Sequence, residues 1–349
     1  MNQVEEEYNM QGVFNNISIQ GIQAVVPTSV VENIKYSDLL GERRCKKQIR
    51  LTGVKQRHVC KPGQTAADLA YVAGKKILEE INWEPESIDV LLFATQNPLF
   101  ALPSTAFLLQ KRLGIGKDCV VFDLNLGCSS ATVGIQVASS LLQQGRPEAR
   151  ALLLIADPDY ESTETDPEVL ADQLLFGAAG AAIALQKTES PLSPLYFQNK
   201  SDGNRYKTIM RQIGGLCQMD GVAVFEFGVN DVAADILSFH KDLGITTDDV
   251  DFYVFHQAQA LMLSTIDDIC KIASEKELRS LDYYGNTNGC SIPVTLCVHE
   301  KTFKTKDAYS LFLCGFGVGL SWCSLYTNVN GSCVYPLIFT DDIYSIENE

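Results

Sequence analysis

Two short signatures recur at one spacing, and that spacing limits the chain to a duplicated architecture. Asp89-Val-Leu-Leu-Phe93 resembles Asp251-Phe-Tyr-Val-Phe255, and Asp251 lies 162 positions after Asp89. Gly127-Cys128-Ser129 returns as Gly289-Cys290-Ser291, again 162 positions further on. An Ile-Leu pair precedes each first match, as Ile77-Leu78 and Ile236-Leu237. Matches at one offset in the same order mark two copies of one unit. The copies divide the chain into 1–187 and 188–349, joined through the polar, Ser/Pro-containing stretch Gln186–Asn199. Such halves place a site where they meet, because clefts between domains collect ligands.

The unit itself reads as α/β. Ile88–Ala94, Leu152–Ala156, Ala181–Leu185, Phe252–Phe255 and Leu311–Cys314 are continuous apolar runs. Runs of that kind are strands covered on both faces. Between them, Thr65–Glu80 carries Ala66, Leu69, Ala70, Ala73, Ile77 and Leu78 on one side. Ser104–Leu113 and Ser129–Gln144 are also helical in pattern.

Charge and cysteine usage narrow the function classes. The formal net charge is −15, which disfavours nucleic acid as the main ligand, since that binding needs surplus cations. No run of about 18 apolar residues exists, so no membrane span is expected. The start, MNQVEEEYNM, lacks the basic region and apolar stretch of a secretory signal. The 11 cysteines form no CxxC pair, which points to free thiols in a reducing cytoplasm. The acidic run Asp157, Asp159, Glu161, Glu164, Asp166 and Glu168 reads as a solvated loop, and no metal site is expected.

Three segments carry candidate chemistry. Cys128 lies between a strand and the helix Ser129–Gln144, a turn that presents nucleophiles. A helix N-terminus there is expected to lower the thiol pKa from about 8.5. Among eleven cysteines, a plain buried thiol is the competing reading. His256 ends the run Phe252–Phe255, at the carboxyl end of a strand, where open α/β sheets bind ligands; a hydrogen-bonded histidine capping a strand is the alternative. Asn286, within Tyr284-Gly-Asn-Thr-Asn-Gly-Cys-Ser-Ile-Pro293, offers an amide donor on a turn-rich loop. The glycines of Gly315-Phe-Gly-Val-Gly319 let backbone N–H groups approach a ligand.

Together Cys128, His256 in FHQAQ and Asn286 in YGNTNGCSIP resemble the Cys-His-Asn triad of the β-ketoacyl-acyl-carrier-protein synthase III family, within the thiolase-like superfamily. Thr52-Gly-Val-Lys-Gln-Arg-His58, Leu102-Pro-Ser-Thr105, Ser201-Asp-Gly203 and the terminal GFGVGLSW support it, over roughly Ile17 to Tyr326. The resemblance implies a duplicated five-layer αβαβα fold. It implies that Cys128 is acylated by a primer thioester while the backbone N–H groups of Cys128 and Val318 hold the oxyanion. His256 and Asn286 would stabilise the enolate formed when a malonyl-type thioester loses carbon dioxide. No cofactor is implied beyond coenzyme A or the carrier protein's phosphopantetheine, borne by the substrates. A homodimer is implied, with Leu102 reaching the partner's acyl pocket.

The family's adenine-stacking Trp and Arg align with Lys47 and Leu51, its carrier-docking Arg with Leu261, and a pantetheine-contacting Asn with Val222. The Asp of its FGDGAG segment is replaced by Ala178. These departures imply a specialised lipid or secondary-metabolite pathway. Arg43, Arg44, Lys46, Lys47, Arg50, Lys55 and Arg57 crowd one segment. Arg43, Arg44, Lys47 and Arg50 are expected at the substrate entrance, where they would attract phosphopantetheine or an acidic carrier protein; a solvated helix face is the alternative. Two other functions fit the same fold: acyl transfer to an alcohol or amine without decarboxylation, and a non-catalytic subunit of a heterodimer.

Overall fold

The computed structural model describes residues 10–345 apart from 214 and 216; the acidic start at Met1–Asn9 lies outside the described residues. In chain order the first half holds β1 (Met10–Phe14), β2 (Ile17–Pro27), β3 (Val30–Glu32), α1 (Ser37–Leu40), α2 (Glu42–Thr52), β4 (Gln56–His58), α3 (Ala66–Glu80), β5 (Val90–Ala94), α4 (Thr105–Leu113), β6 (Val120–Leu124), α5 (Ser130–Gln143), β7 (Arg150–Asp157), α6 (Pro167–Gln173) and β8 (Ala179–Lys187). There follow β9 (Leu195–Ser201), β10 (Ile209–Arg211), β11 (Cys217–Met219), α7 (Gly221–Phe227), α8 (Ala233–Leu243), β12 (Phe252–Phe255), α9 (Ala260–Cys270), α10 (Leu281–Tyr284), α11 (Ser291–Val298), β13 (Ala308–Gly317), β14 (Ser321–Asn330) and β15 (Ile338–Thr340). Every apolar run read as a strand is one, and the three helices lie where the pattern puts them.

The repeat survives as topology. One sheet contains the order β2-β8-β7-β5 and the other β9-β14-β13-β12. In each, two antiparallel pairings are followed by one parallel pairing. Even the edge strand has an echo: β6 pairs parallel with β5, and Tyr253 of β12 makes a parallel bridge to Glu277. The chain's two ends cross between the sheets. β1 extends the second sheet through β9, and β15 extends the first through β2.

Five layers result. The outer helices α3 and α4 cover one sheet, with Leu69, Ala70, Ala73 and Ile77 buried against Leu91, Phe93, Leu152 and Leu154. Thr65 opens α3 with a reciprocal capping box to Asp68. On the far side α8 and α9 cover the second sheet, Ile236 and Phe239 meeting Tyr253, Phe255 and Phe312. Between the sheets lie α5 and α11, apolar enough to be buried on both sides: Ala131, Ile135, Ala138, Ile292, Val294 and Leu296 share one core.

The two Gly-Cys-Ser turns open these central helices and touch each other. A Cβ added at Gly289 would stand 1.9 Å from Ser130 Oγ and 3.0 Å from the Gly127 carbonyl. No side chain fits there. Gly289→Ala is therefore expected to cost about 1–3 kcal/mol, the range for overpacking a filled interior, whereas Gly221→Ala, with open space at its Cβ position, should cost far less. Chemical denaturation of the two variants checks this; equal stabilities would contradict the contact.

Candidate active site

Strand ends assemble the site. β12 and β13 run parallel with Phe255 opposite Cys314, so His256 emerges beside Gly315–Gly317, and its N–H donates to the Cys314 carbonyl at 2.8 Å. The imidazole stands edge-on to Phe316, with ring centroids 5.5 Å apart. Cys128 reaches the same strand end from α5. Its Sγ lies 2.8 Å from where a Cβ on Gly317 would sit, so only glycine admits the thiol. Asn286 is held by its backbone, which donates to the Leu175 carbonyl at 2.9 Å and accepts from Gly177 N–H at 3.0 Å. The Asn288 N–H donates to Asn286 Oδ1 at 3.0 Å, which turns Nδ2 toward His256 Nε2, 3.4 Å away. Cys128, His256 and Asn286 are thus gathered around the end of β13, and all three are buried.

Burial decides the charge states. It pushes the Cys128 thiol up to about 12, against the pull of the Val318 and Cys128 backbone N–H groups and with a smaller push from buried Asp157. The expected lowering at the helix N-terminus does not prevail, because desolvation of a buried sulfur outweighs two hydrogen bonds. Burial likewise lowers His256 to about 4, partly offset by the Asn288 backbone. The resting site is a neutral thiol beside a neutral imidazole. With the His256 proton on Nε2, that nitrogen and Asn286 Nδ2 can both donate to one carbonyl oxygen. The Val318 N–H is within hydrogen-bonding reach of the thiol, as is the Cys128 N–H. Ser321 Oγ braces this turn, donating to the Val318 carbonyl at 2.8 Å and lying 2.9 Å from Ser129 Oγ.

The basic segment divides. Arg43, Lys47 and Arg50 are exposed on α2, and Arg44 is half-buried. Arg57 does not belong to any rim. It is fully buried, donating to Asn33 Oδ1 and Asp159 Oδ2 at 2.9 Å each and to the Phe176 carbonyl. Lys46 pairs with Glu42, and Lys55 with Asp282 at 3.5 Å. Gly53, the left-handed cap of α2, packs on Ala260, which links the basic helix to the segment after His256. Leu102 is 89% exposed, while Val222 and Leu261 also face solvent.

The acidic run needs correction as well. Asp157 and Asp159 turn inward rather than joining a solvated loop. Asp157 accepts from Gln96 N–H at 2.8 Å and Asn97 Nδ2 at 3.0 Å, and burial raises it to about 6. Burial raises Asp159 to about 7 against the attraction of Arg57. Glu161 pairs with Lys35, and the Glu168 side chain lies outside the described residues. Asp157 ends β7, so the rule that singled out His256 applies to it equally. Among the described residues, no cluster of His, Cys, Asp and Glu could hold a metal, and no helix is long and apolar enough to cross a membrane. The eleven cysteines are free thiols.

Comparison with known proteins adds the family. Residues 122–203 match the model of 3-oxoacyl-[acyl-carrier-protein] synthase III, and residues 241–329 match its C-terminal counterpart. The β-ketoacyl-[acyl-carrier-protein] synthase III of Acholeplasma laidlawii is 30% identical over 90% of this chain and 98% of its own length. The chain belongs to the β-ketoacyl-acyl-carrier-protein synthase III family. The Staphylococcus epidermidis synthase III is also 30% identical, over 88% of this chain and 97% of its own. A 3-oxoacyl-(acyl-carrier protein) synthase structure from Burkholderia xenovorans superposes with a TM-score of 0.88, at 28% identity, covering 95% of this chain and 99% of that one. The fold is thiolase-like, and the chain is a synthase III-like acyltransferase.

A thiol held near 12 has a thiolate fraction that rises about tenfold per pH unit throughout the neutral range. Alkylation of Cys128 by iodoacetamide, followed by peptide mapping, should climb with that slope from pH 6 to pH 9. A plateau below pH 8 would instead reveal a thiolate–imidazolium pair.

Proposed function

We propose that this synthase III-like enzyme joins an acyl group to a malonyl-type thioester with loss of carbon dioxide. Cys128 Sγ forms a bond to the primer's acyl carbon, and the primer's thiol leaves with the Cys128 proton. The backbone N–H groups of Cys128 and Val318 stabilise the tetrahedral oxyanion. The malonyl-type thioester then sets its thioester carbonyl against His256 Nε2 and Asn286 Nδ2. Carbon dioxide departs, the electron pair passes into the enolate those donors stabilise, and the enolate carbon attacks acyl-Cys128. The Cys128 thiolate leaves, is reprotonated, and a β-ketoacyl thioester is released. The observation that carries this reading is the convergence of His256 Nε2 and Asn286 Nδ2, 3.4 Å apart, beside the Cys128 turn. A neutral His256 can donate to a developing enolate without being consumed as a base.

The same reading covers the surroundings. The cations Arg43, Arg44, Lys47 and Arg50 form the entrance and attract an acyl-carrier protein by its phosphopantetheine and acidic surface. The primer and extender arrive on coenzyme A or carrier phosphopantetheine, with no other cofactor, in the cytoplasm. Two copies pair so that exposed Leu102 enters the partner's acyl pocket, and each copy divides at 187/188 into two halves. The exposed, non-aromatic Lys47 and the solvent-facing Val222 and Leu261 support a specialised lipid or secondary-metabolite route.

His256→Ala and Asn286→Ala should each lower decarboxylation by about 10²–10³, the usual loss for one oxyanion-type donor, and lower primer transfer much less. Carbon dioxide release and acyl-enzyme formation, measured separately, check this; equal losses in both half-reactions contradict the assignment. Charge reversal at Arg43, Lys47 and Arg50 should raise KM for carrier thioesters and flatten its salt dependence, because steering by exposed charge is screened over about 8 Å at physiological ionic strength. A salt dependence identical to wild type would remove the entrance role.

A further inference from the structure

Beside Gly127, the neighbour of Cys128 in the chain, a set of polar contacts that the reaction scheme does not use leads from buried Asp157 to the surface. Gly127, next to the nucleophile, lies against Gln96: a Cβ added there would meet Gln96 Nε2 at 2.8 Å. The turn Thr95–Asn97 is fixed from within by buried Asp157, through Gln96 N–H, Asn97 Nδ2 and a longer 3.3 Å contact from Thr95 Oγ1. It is held from outside by Arg211. That guanidinium donates through Nη1 to Asn97 Oδ1 at 3.0 Å and through Nη2 to the Gln96 carbonyl. The Asn97 amide therefore bridges an exposed cation and an enclosed carboxylate, with both of its ends used.

Arg211 ends β10, opposite Cys217 of β11 in the antiparallel register. The hairpin is open to solvent at Gln212, Ile213, Cys217 and Gln218. Its first strand reaches the turn beside the nucleophile: Arg211 is held on Gln96 and Asn97, and Gln96 lies against Gly127. The same turn continues from Pro98 to Leu102, and α4 beyond it is anchored by Asp123, which accepts from Thr105 N–H at 2.7 Å and Ala106 N–H at 2.8 Å. The turn is thus hydrogen-bonded to buried Asp157 on one side and to exposed Arg211 on the other.

We propose that Arg211 is a specificity-determining positioning residue, a latch that through Asn97 and Asp157 seats the strand Ile209–Arg211 against the turn Thr95–Asn97 beside Gly127 and so sets which acyl groups Cys128 receives. The planar fork suits this task, since one group spans the Asn97 amide and the Gln96 carbonyl together. A lysine offers a point charge and can satisfy only part of the pair. The inference rests on Cys128 being the acylated nucleophile.

The test compares wild type, Arg211→Ala, Arg211→Lys, Asn97→Ala and the Arg211→Ala/Asn97→Ala pair on straight-chain acyl-coenzyme A thioesters from two to ten carbons. Acyl-Cys128 formation is followed by intact-mass spectrometry, and malonyl decarboxylation serves as internal reference. Arg211→Ala should shift the long-to-short ratio of kcat/KM by about tenfold, the scale on which pockets discriminate methylenes. The change should lie in KM more than kcat, with Arg211→Lys restoring part of it. Asn97→Ala should move the ratio the same way, and the pair should shift it by less than the product of the single effects, because both cut one chain. An unaltered ratio in Arg211→Ala, a fall shared equally with decarboxylation, or multiplicative effects in the pair would each overturn the latch. If wild type acquires no acyl group on Cys128, the nucleophile assignment fails and the latch falls with it; if wild type is acylated and Arg211→Ala keeps its selectivity, the latch alone is wrong.

Discussion

The contact between the two Gly-Cys-Ser turns is the constraint on which the site depends. Gly289 must be bare because Ser130 and the Gly127 carbonyl occupy the space a side chain would need. That close approach lets α5 and α11 start side by side between the sheets, each covered on both faces. Two equivalent turns then meet opposite fates. Cys290 is sealed, its thiol donating to the Ile155 carbonyl at 3.3 Å, and burial lifts it well above its ordinary pKa. Cys128 faces Gly317 and the Val318 N–H instead, and is 8% exposed. The two equivalent positions thus differ in what surrounds the thiol.

Desolvation is the second unifying effect. It makes Cys128 a neutral thiol and His256 a neutral base, and it draws Asp157 and Asp159 up toward neutrality. A site built this way holds little fixed charge. It gathers oriented donors: the Val318 and Cys128 backbone N–H groups at the sulfur, and the Asn286 amide beside the His256 imidazole. Such preorganised dipoles act most strongly where water is excluded. In the proposed reaction, burial that weakens the thiol as an acid would strengthen the donors assigned to each oxyanion.

Much of this was legible in the residues. Phe252–Phe255 is a strand with the bounds its apolar run predicts, and His256 follows from the end of that run. The 162-residue offset foretold the matched strand orders of the two sheets. Local pattern was weaker wherever a charge changes meaning with depth. Arg57 and Asp159 read as surface ions in a basic and an acidic run, yet Arg57 is fully buried and half-buried Asp159, 102 positions on, pairs with it. Asp157 was hidden in the same way, since an acid among acids signals solvent unless the strand that ends there is taken into account. The thiol pKa was misjudged for a related reason. A helix N-terminus is visible in sequence, but the enclosure that outweighs it comes from Gly317 and β13, nearly 190 positions away.

The central claim is carbon–carbon bond formation through acyl-Cys128, and isotopic accounting tests it most directly. The enzyme is first loaded with an acyl thioester until intact mass registers one acyl group, mapped to Cys128. A malonyl thioester labelled at its free carboxyl is then added. The account predicts loss of that mass from the protein, release of labelled carbon dioxide, and appearance of an unlabelled β-ketoacyl thioester, in equal amounts. Transfer of the acyl group to an alcohol or amine with no labelled gas would contradict it, as would a wild-type protein that never gains the acyl mass.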